Sequence, residues 1–200
     1  MKQTNKKACF AEIVESSLTN WTAQSWQWDT FPAFGSVVQV PEKKRTLFGI
    51  VHQINTGSLE TGRYPFTYQK TQEELLKEQP QIFEFLKTTF SCITLGYEEH
   101  EKIIHSIAPE PPKIHSFVGN LSATQNKQFF VSPTFMQLIF SAPHIENIDE
   151  LLLAVITNLQ KQKLLDSEKL SELIESYTLL IGTDYRRLKL FLGRIQNITI

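Results

Sequence analysis

The chain predicts an α+β fold, a small amino-terminal β-barrel with a helical insertion followed by a carboxy-terminal all-α bundle. Three observations carry this. Residues 8–55 are short β-branched and aromatic runs separated by turn residues. Residues 71–86 hold a capping motif and a Pro-initiated apolar stripe, and beyond Pro109-Glu-Pro-Pro112 the apolar spacing becomes helical. The expected domains are residues 1–118 for the barrel and 119–200 for the helices.

Taken in order, strands are expected at residues 8–16, 25–28, 35–40 and 46–55, with breaks at Asn20, Pro32, Gly35 and Pro41. Glu42-Lys-Lys-Arg45 is the polar tip of a hairpin. Gly49, inside Leu47-Phe-Gly-Ile-Val-His-Gln-Ile54, permits the bend or close approach that a small barrel needs. Residues 57–69 form a turn-rich excursion, after which Thr71-Gln-Glu-Glu74 is a Thr-x-x-Glu capping box. Pro80 opens a second turn of helix, with Ile82, Phe83 and Leu86 as the stripe that covers the barrel. Residues 90–96 and 102–107 return to strand character across the acidic turn Glu98-Glu-His-Glu101.

The prolines of Pro109-Glu-Pro-Pro112 donate no backbone hydrogen bonds and stiffen the chain, which marks the boundary. Helices are expected to start at Ser132-Pro133, Asn147-Ile-Asp-Glu150, Asp166-Ser-Glu168 and Thr183-Asp184, each with a side-chain cap, an early Pro or an acidic first turn. Leu151, Leu152, Val155, Ile156 and Leu159 form one apolar face. Leu170, Leu173, Ile174, Tyr177, Leu180 and Ile181 form another, ended by Gly182 as a left-handed cap.

Two hundred residues, 41% hydrophobic and 20% charged, make a globular chain of one large or two small domains. A net charge of −1 excludes a global field toward nucleic acid or an anionic membrane. Cys9 and Cys92 lie apart in strand-like runs without metal-ligand spacing, which points to a reducing compartment. The segment Met1-Lys-Gln-Thr-Asn-Lys-Lys7 leads into Glu12 and Glu15 rather than a signal-peptide core, and no stretch approaches the ~20 apolar residues of a span. A cytoplasmic protein is expected.

Phe10-Ala-Glu-Ile-Val14, Phe34-Gly-Ser-Val-Val-Gln-Val40, Leu47-Phe-Gly-Ile-Val51 and Ile93-Thr-Leu-Gly-Tyr97 together resemble the HAS barrel. That is the amino-terminal barrel of HerA-like DNA translocases, related to the barrel of ATP synthase catalytic subunits. Pro109-Glu-Pro-Pro-Lys-Ile-His-Ser-Phe-Val118 resembles the exit from it, so the resemblance spans residues 8–118. In that family the barrel precedes an ATPase domain and helps arrange subunits in a ring, which implies an oligomerisation or docking role here. The plan is broken after Val118, where helices follow and no phosphate-binding loop does.

Candidate chemistry is sparse. Gly57-Ser-Leu-Glu-Thr-Gly62 lacks the Lys and Ser or Thr of a phosphate loop, Arg63-Tyr64 standing in their place. His52, His100, His105, His115 and His144 are scattered without helical i, i+4 pairing, and no serine sits in a nucleophile elbow. No catalytic residue, cofactor, metal or small-molecule substrate is therefore assigned. Trp21, Trp26 and Trp28, with Phe31 and Phe34, are the candidate partner-binding stretch; placing Trp26 and Trp28 on one strand face favours burial against the insertion over an exposed platform. Arg186, Arg187, Lys189 and Arg194 are the candidate nucleic-acid contacts, although residues 120–200 balance eight Lys and Arg against eight Asp and Glu.

These observations point to a non-catalytic assembly or adaptor protein that self-associates or holds a protein partner. The alternative is a nucleic-acid-associated accessory protein.

Overall fold

The computed structural model describes residues 8–198 apart from 61, 63, 64 and 144, so Arg63, Tyr64 and His144 lie outside the described residues, as does the segment 1–7. The strands are β1 (Cys9–Ser16), β2 (Asn20–Ser25), β3 (Val37–Pro41), β4 (Thr46–Ser58), β5 (Leu86–Glu99), β6 (Lys102–Ile104) and β7 (Phe117–Asn120). They form one antiparallel sheet in the order β2-β1-β7-β3-β4-β5-β6. Pairing of β2 with β5, from Asn20↔Ile93 to Gln24↔Thr89, closes the first six of that order into a barrel. Closure removes the free edges that an open sheet would expose. β6 lies outside the ring as a hairpin on the end of β5, turned by His100 and Glu101 at φ 50° and 61°.

Closure is also what moves the expected strand boundaries. Asn20, read as a break, is the first residue of β2, and the strand expected at 25–28 ends at Ser25. A strand that pairs on both edges gains hydrogen bonds along its whole length, whatever its terminal propensity. Beyond Val51, β4 is continued to Ser58 by its pairing with β5 alone, as far as Leu86. Bulges at Phe48/Gly49 and Val51/Gln53 let this long pair bend around the barrel.

The barrel interior holds Ala11, Ile13, Trp21, Ala23, Val38, Val40, Leu47, Val51, Phe90, Cys92, Ala108 and Val118. Trp21 is its largest member, and it fits because β4 has no side chain opposite it. A Cβ on Gly49 would lie 2.5 Å from Trp21 Cζ2 and 3.0 Å from the Cys92 Cβ.

At the far end of the β4–β5 pair, α1 (Gln72–Glu78) begins in the expected capping box, with Thr71 and Glu74 satisfying each other's backbone N–H. Pro80–Phe85 is a 3-10 turn rather than a helix. Leu86, expected on its stripe, is instead the first residue of β5, and the turn buries no residue fully.

The segment between β6 and β7 is strapped to the barrel rather than spanning free space. The Glu42 carboxylate accepts from Lys113 N (2.8 Å) and Ser116 Oγ (3.3 Å), Ser16 Oγ donates to the Pro112 carbonyl, and Ile13 exchanges backbone bonds with His115 and Ser116.

Beyond β7 come α2 (Ala123–Phe129), α3 (Phe135–Ser141), α4 (Ile148–Lys161), α5 (Ser167–Ile181) and α6 (Tyr185–Ile198). Asn147 and Asp166 cap α4 and α5 as expected. The start expected at Ser132-Pro133 falls between two helices, because α2 precedes it with its own Ser122/Gln125 capping box and α3 begins at Phe135. The expected α4 face, Leu151, Leu152, Val155, Ile156 and Leu159, is fully buried.

Helices and barrel share a second core. Val37, Phe48, Ile50, Ile93 and Leu95 point outward from the barrel into a cluster with Phe129, Phe135, Ile139, Leu151, Tyr177 and Phe191. His105 ties the joint with Nε2 3.1 Å from the Phe129 carbonyl, and burial holds its pKa below the ordinary imidazole value. α4 meets the barrel at Gly35, where a Cβ would lie 2.6 Å from that of Ala154 at a backbone φ of 74°. α3 and α4 form the layer next to the barrel, with α5 packed on α3 and α6 on α4 as the outer layer.

Gly49→Ala and Gly35→Ala are each expected to lower stability by about 1–3 kcal/mol through overpacking against groups that cannot retreat. Gly193→Ala, in open space on α6, is expected to raise it by about 0.5–1 kcal/mol. Urea unfolding midpoints at constant slope check both signs.

Candidate functional site

The three tryptophans come to different fates. Trp21 is 1% exposed inside the barrel and has no surface to offer a partner. Trp26 and Trp28 do not share a strand face, since β2 ends before them. Trp28 stacks on Phe83 of the 3-10 turn, with centroids 5.3 Å apart and planes at 22°, and its carbonyl accepts from Thr88 Oγ1. Trp26 meets Phe117 edge-on at 5.4 Å yet stays 43% exposed, and Phe31 is 45% exposed. Burial against the insertion therefore applies to Trp28, and surface exposure to Trp26.

The basic residues of α6 divide just as sharply. Arg187 Nε and Nη2 reach the Asp149 carboxylate at 3.0 Å and 2.7 Å. Arg194 Nη1 and Nη2 reach Glu150 at 2.6 Å and 2.8 Å. Positions 187 and 194 are seven apart, two helical turns, so both fork onto the adjacent acidic residues in the first turn of α4. The helix dipole favours carboxylates there. Two of the four expected phosphate contacts are thus interhelical clamps.

The Asp149 clamp extends inward. The hydroxyl of Tyr177, a fully buried side chain, donates to Asp149 Oδ1 at 3.0 Å, while its ring stacks on Phe191 at 4.0 Å. Burial first, and then the hydrogen bond and charge of Asp149, push the Tyr177 pKa up to about 12. The Asp149 bonds raise Arg187 further above its ordinary value, and Arg194 holds Glu150 below the usual carboxylate range.

What the clamps leave outside is the outer face of the α5–α6 layer. On α5, Glu168, Glu175 and Leu179 fall on one exposed stripe opposite the buried Leu173 and Tyr177. On α6, Tyr185, Arg186, Lys189 and Leu190 are exposed opposite Phe191 and Ile195. Leu179 and Tyr185 are each 77% exposed and Leu190 62%, at the connection of the two helices and one turn beyond. Glu168, Glu175, Arg186 and Lys189 form no ion pair among the described residues, whereas Glu172 is held by Lys169 at 2.8 Å. The cations of this face are legible in the sequence, whereas its apolar side chains are marked only by the outward phase of Leu179 and Leu190 relative to the buried stripes.

Among the described residues no group of three or more His, Cys, Asp or Glu is placed to hold a metal ion, and no helix is long and apolar enough to cross a membrane. No family model matches the chain, and no curated protein matches it.

Asp149→Ala is expected to cost about 1–3 kcal/mol, because it strands the buried Tyr177 hydroxyl and the Arg187 fork. The raised pKa of Tyr177 has a definite sign. Its contribution to stability is fully present below the ordinary tyrosine pKa near 10 and is lost as pH rises toward 12, at about 1.4 kcal/mol per pH unit. Chemical unfolding across pH 9–12 should show that slope in the wild type and a shallower one in Tyr177→Phe.

Proposed function

We propose that the chain is a non-catalytic assembly protein that works through protein–protein contact, by self-association or by holding a protein partner. The observation that carries this reading is the exposure of Leu179, Tyr185 and Leu190 on the outer layer of a bundle whose other large apolar side chains are mostly buried. Grouped exposed apolar side chains with a polar rim are the ordinary mark of an interaction site. Trp26 and Phe31 are further exposed aromatic side chains.

The HAS-barrel assignment belongs to the same proposal. Its support is the strand set and proline exit of residues 8–118, together with a barrel as the fold class. The ring-forming part that this barrel plays in its family motivates assembly as the role. The reading assigns no catalytic residue and no cofactor. A reducing, cytoplasmic setting is proposed with it, supported by the buried thiol of Cys92, which burial raises well above its ordinary pKa.

Nucleic-acid association ranks below assembly, because Arg187 and Arg194 are committed to Asp149 and Glu150. Of the four candidate contacts, Arg186 and Lys189 stay available for phosphate, and two contacts give a weak interaction with a shallow salt dependence.

Gel filtration with light scattering, and affinity capture of the tagged chain with a nuclease-treated control, test the reading. Self-association or a protein partner that survives nuclease is expected. A strict monomer without protein partners would overturn it. Capture that disappears with nuclease would put nucleic acid first.

A further inference from the structure

We propose that the outer face of the α5–α6 layer is a self-complementary dimerisation surface whose occupant is a second copy of this chain. This deepens the assembly reading above and rests on it. The two stripes carry opposite charge, Glu168 and Glu175 on α5 against Arg186 and Lys189 on α6. All four lack ion-pair partners among the described residues, while their neighbours Glu172, Arg187 and Arg194 are all satisfied within the chain. Within α5 and α6, the unpaired charge thus lies on the face that also exposes Leu179, Tyr185 and Leu190.

The register of the helices makes that face complementary to itself. α5 ends at Ile181 and α6 starts at Tyr185, and the stack of Tyr177 on Phe191, well away from that short connection on both helices, sets them side by side and antiparallel. A two-fold axis parallel to the helices lays α5 of one copy over α6 of the other. Leu179 then lies level with Tyr185 of the second copy. Glu175 and Lys189 are each four residues further from the connection, so they too lie level, acidic against basic, and the axis repeats every contact.

The apolar side chains near the connection supply attraction and the charges supply register and selectivity, the usual division in such interfaces. A partner that was simply polyanionic would meet Glu168 and Glu175 beside the cations, and a polycation would meet Arg186 and Lys189. Only an alternating surface satisfies both stripes at once, and the chain's own face has that pattern.

The test uses the full chain and three proteins: wild type, Glu175→Lys and Lys189→Glu, with analytical ultracentrifugation over a concentration series. The wild type is expected to dimerise, each single variant to weaken dimerisation by about tenfold or more through like-charge opposition, and an equimolar mixture of the two to recover it as a heterodimer. Recovery on mixing also shows that both variants are folded. Wild-type association that neither substitution changes would overturn this surface while leaving the assembly reading standing. The same holds for a monomer that captures a different protein in a nuclease-resistant manner, whereas a monomer without any protein partner would overturn both.

Discussion

The structure depends on β4 and the neighbouring part of β5 being buried on both faces. Leu47 and Val51 turn into the barrel, and Phe48 and Ile50 turn outward to the helices. The same division runs along β5, with Phe90 and Cys92 inside and Ile93 and Leu95 outside. A strand of this kind cannot alternate polar and apolar, which is why Leu47-Phe-Gly-Ile-Val51 is a continuous run. Both cores hang from it. Removing the helices would leave Phe48, Ile50, Ile93 and Leu95 facing water, and opening the barrel would remove the platform on which Phe129 and Leu151 pack. The two cores are therefore two sides of one strand pair.

Gly49 sits at the centre of this arrangement and shows its cost. The inward position opposite Trp21 must be empty, so one residue of the most heavily buried strand contributes no side chain at all. The indole fills that space, which leaves its Nε1 without a partner in the barrel. An unsatisfied ring N–H costs about 1–3 kcal/mol, comparable to what burying so large a ring contributes through its apolar area. The barrel is held by packing and backbone closure, with little help from interior polar contacts.

How much of this could be read from the sequence depends on whether the determining interaction is local. The caps of α1, α4 and α5 were legible because Thr71, Asn147 and Asp166 bond within three residues of themselves. Ser122 and Gln125 carry the same local signal, in a capping box that opens α2 almost directly after β7. Closure of β2 on β5, with partners some seventy residues apart, leaves no local mark, and Asn20 looks like a turn until Ile93 is set beside it. The clamps of α6 are illegible for the same reason. Arg187 and Arg194 look like a basic face, and only the position of Asp149 and Glu150, 38 and 44 residues earlier, makes them structural.

That last case bears on how a basic helix is to be weighed in any chain of near-zero net charge. A cation identified by sequence is available to a partner only after the chain's own carboxylates have taken their share, and here the first turn of α4 takes one arginine for each acid. The charge that survives is smaller and better placed than the composition suggests. Arg186 and Lys189 are displaced around α6 from the clamped arginines and stay exposed, beside exposed apolar side chains. The clamps thus do two things with one geometry. They hold α6 against α4, and by fixing its rotation they decide which cations reach solvent. A change at Asp149 or Glu150 would consequently reach the outer face through the rotation of α6, without touching any residue exposed on it.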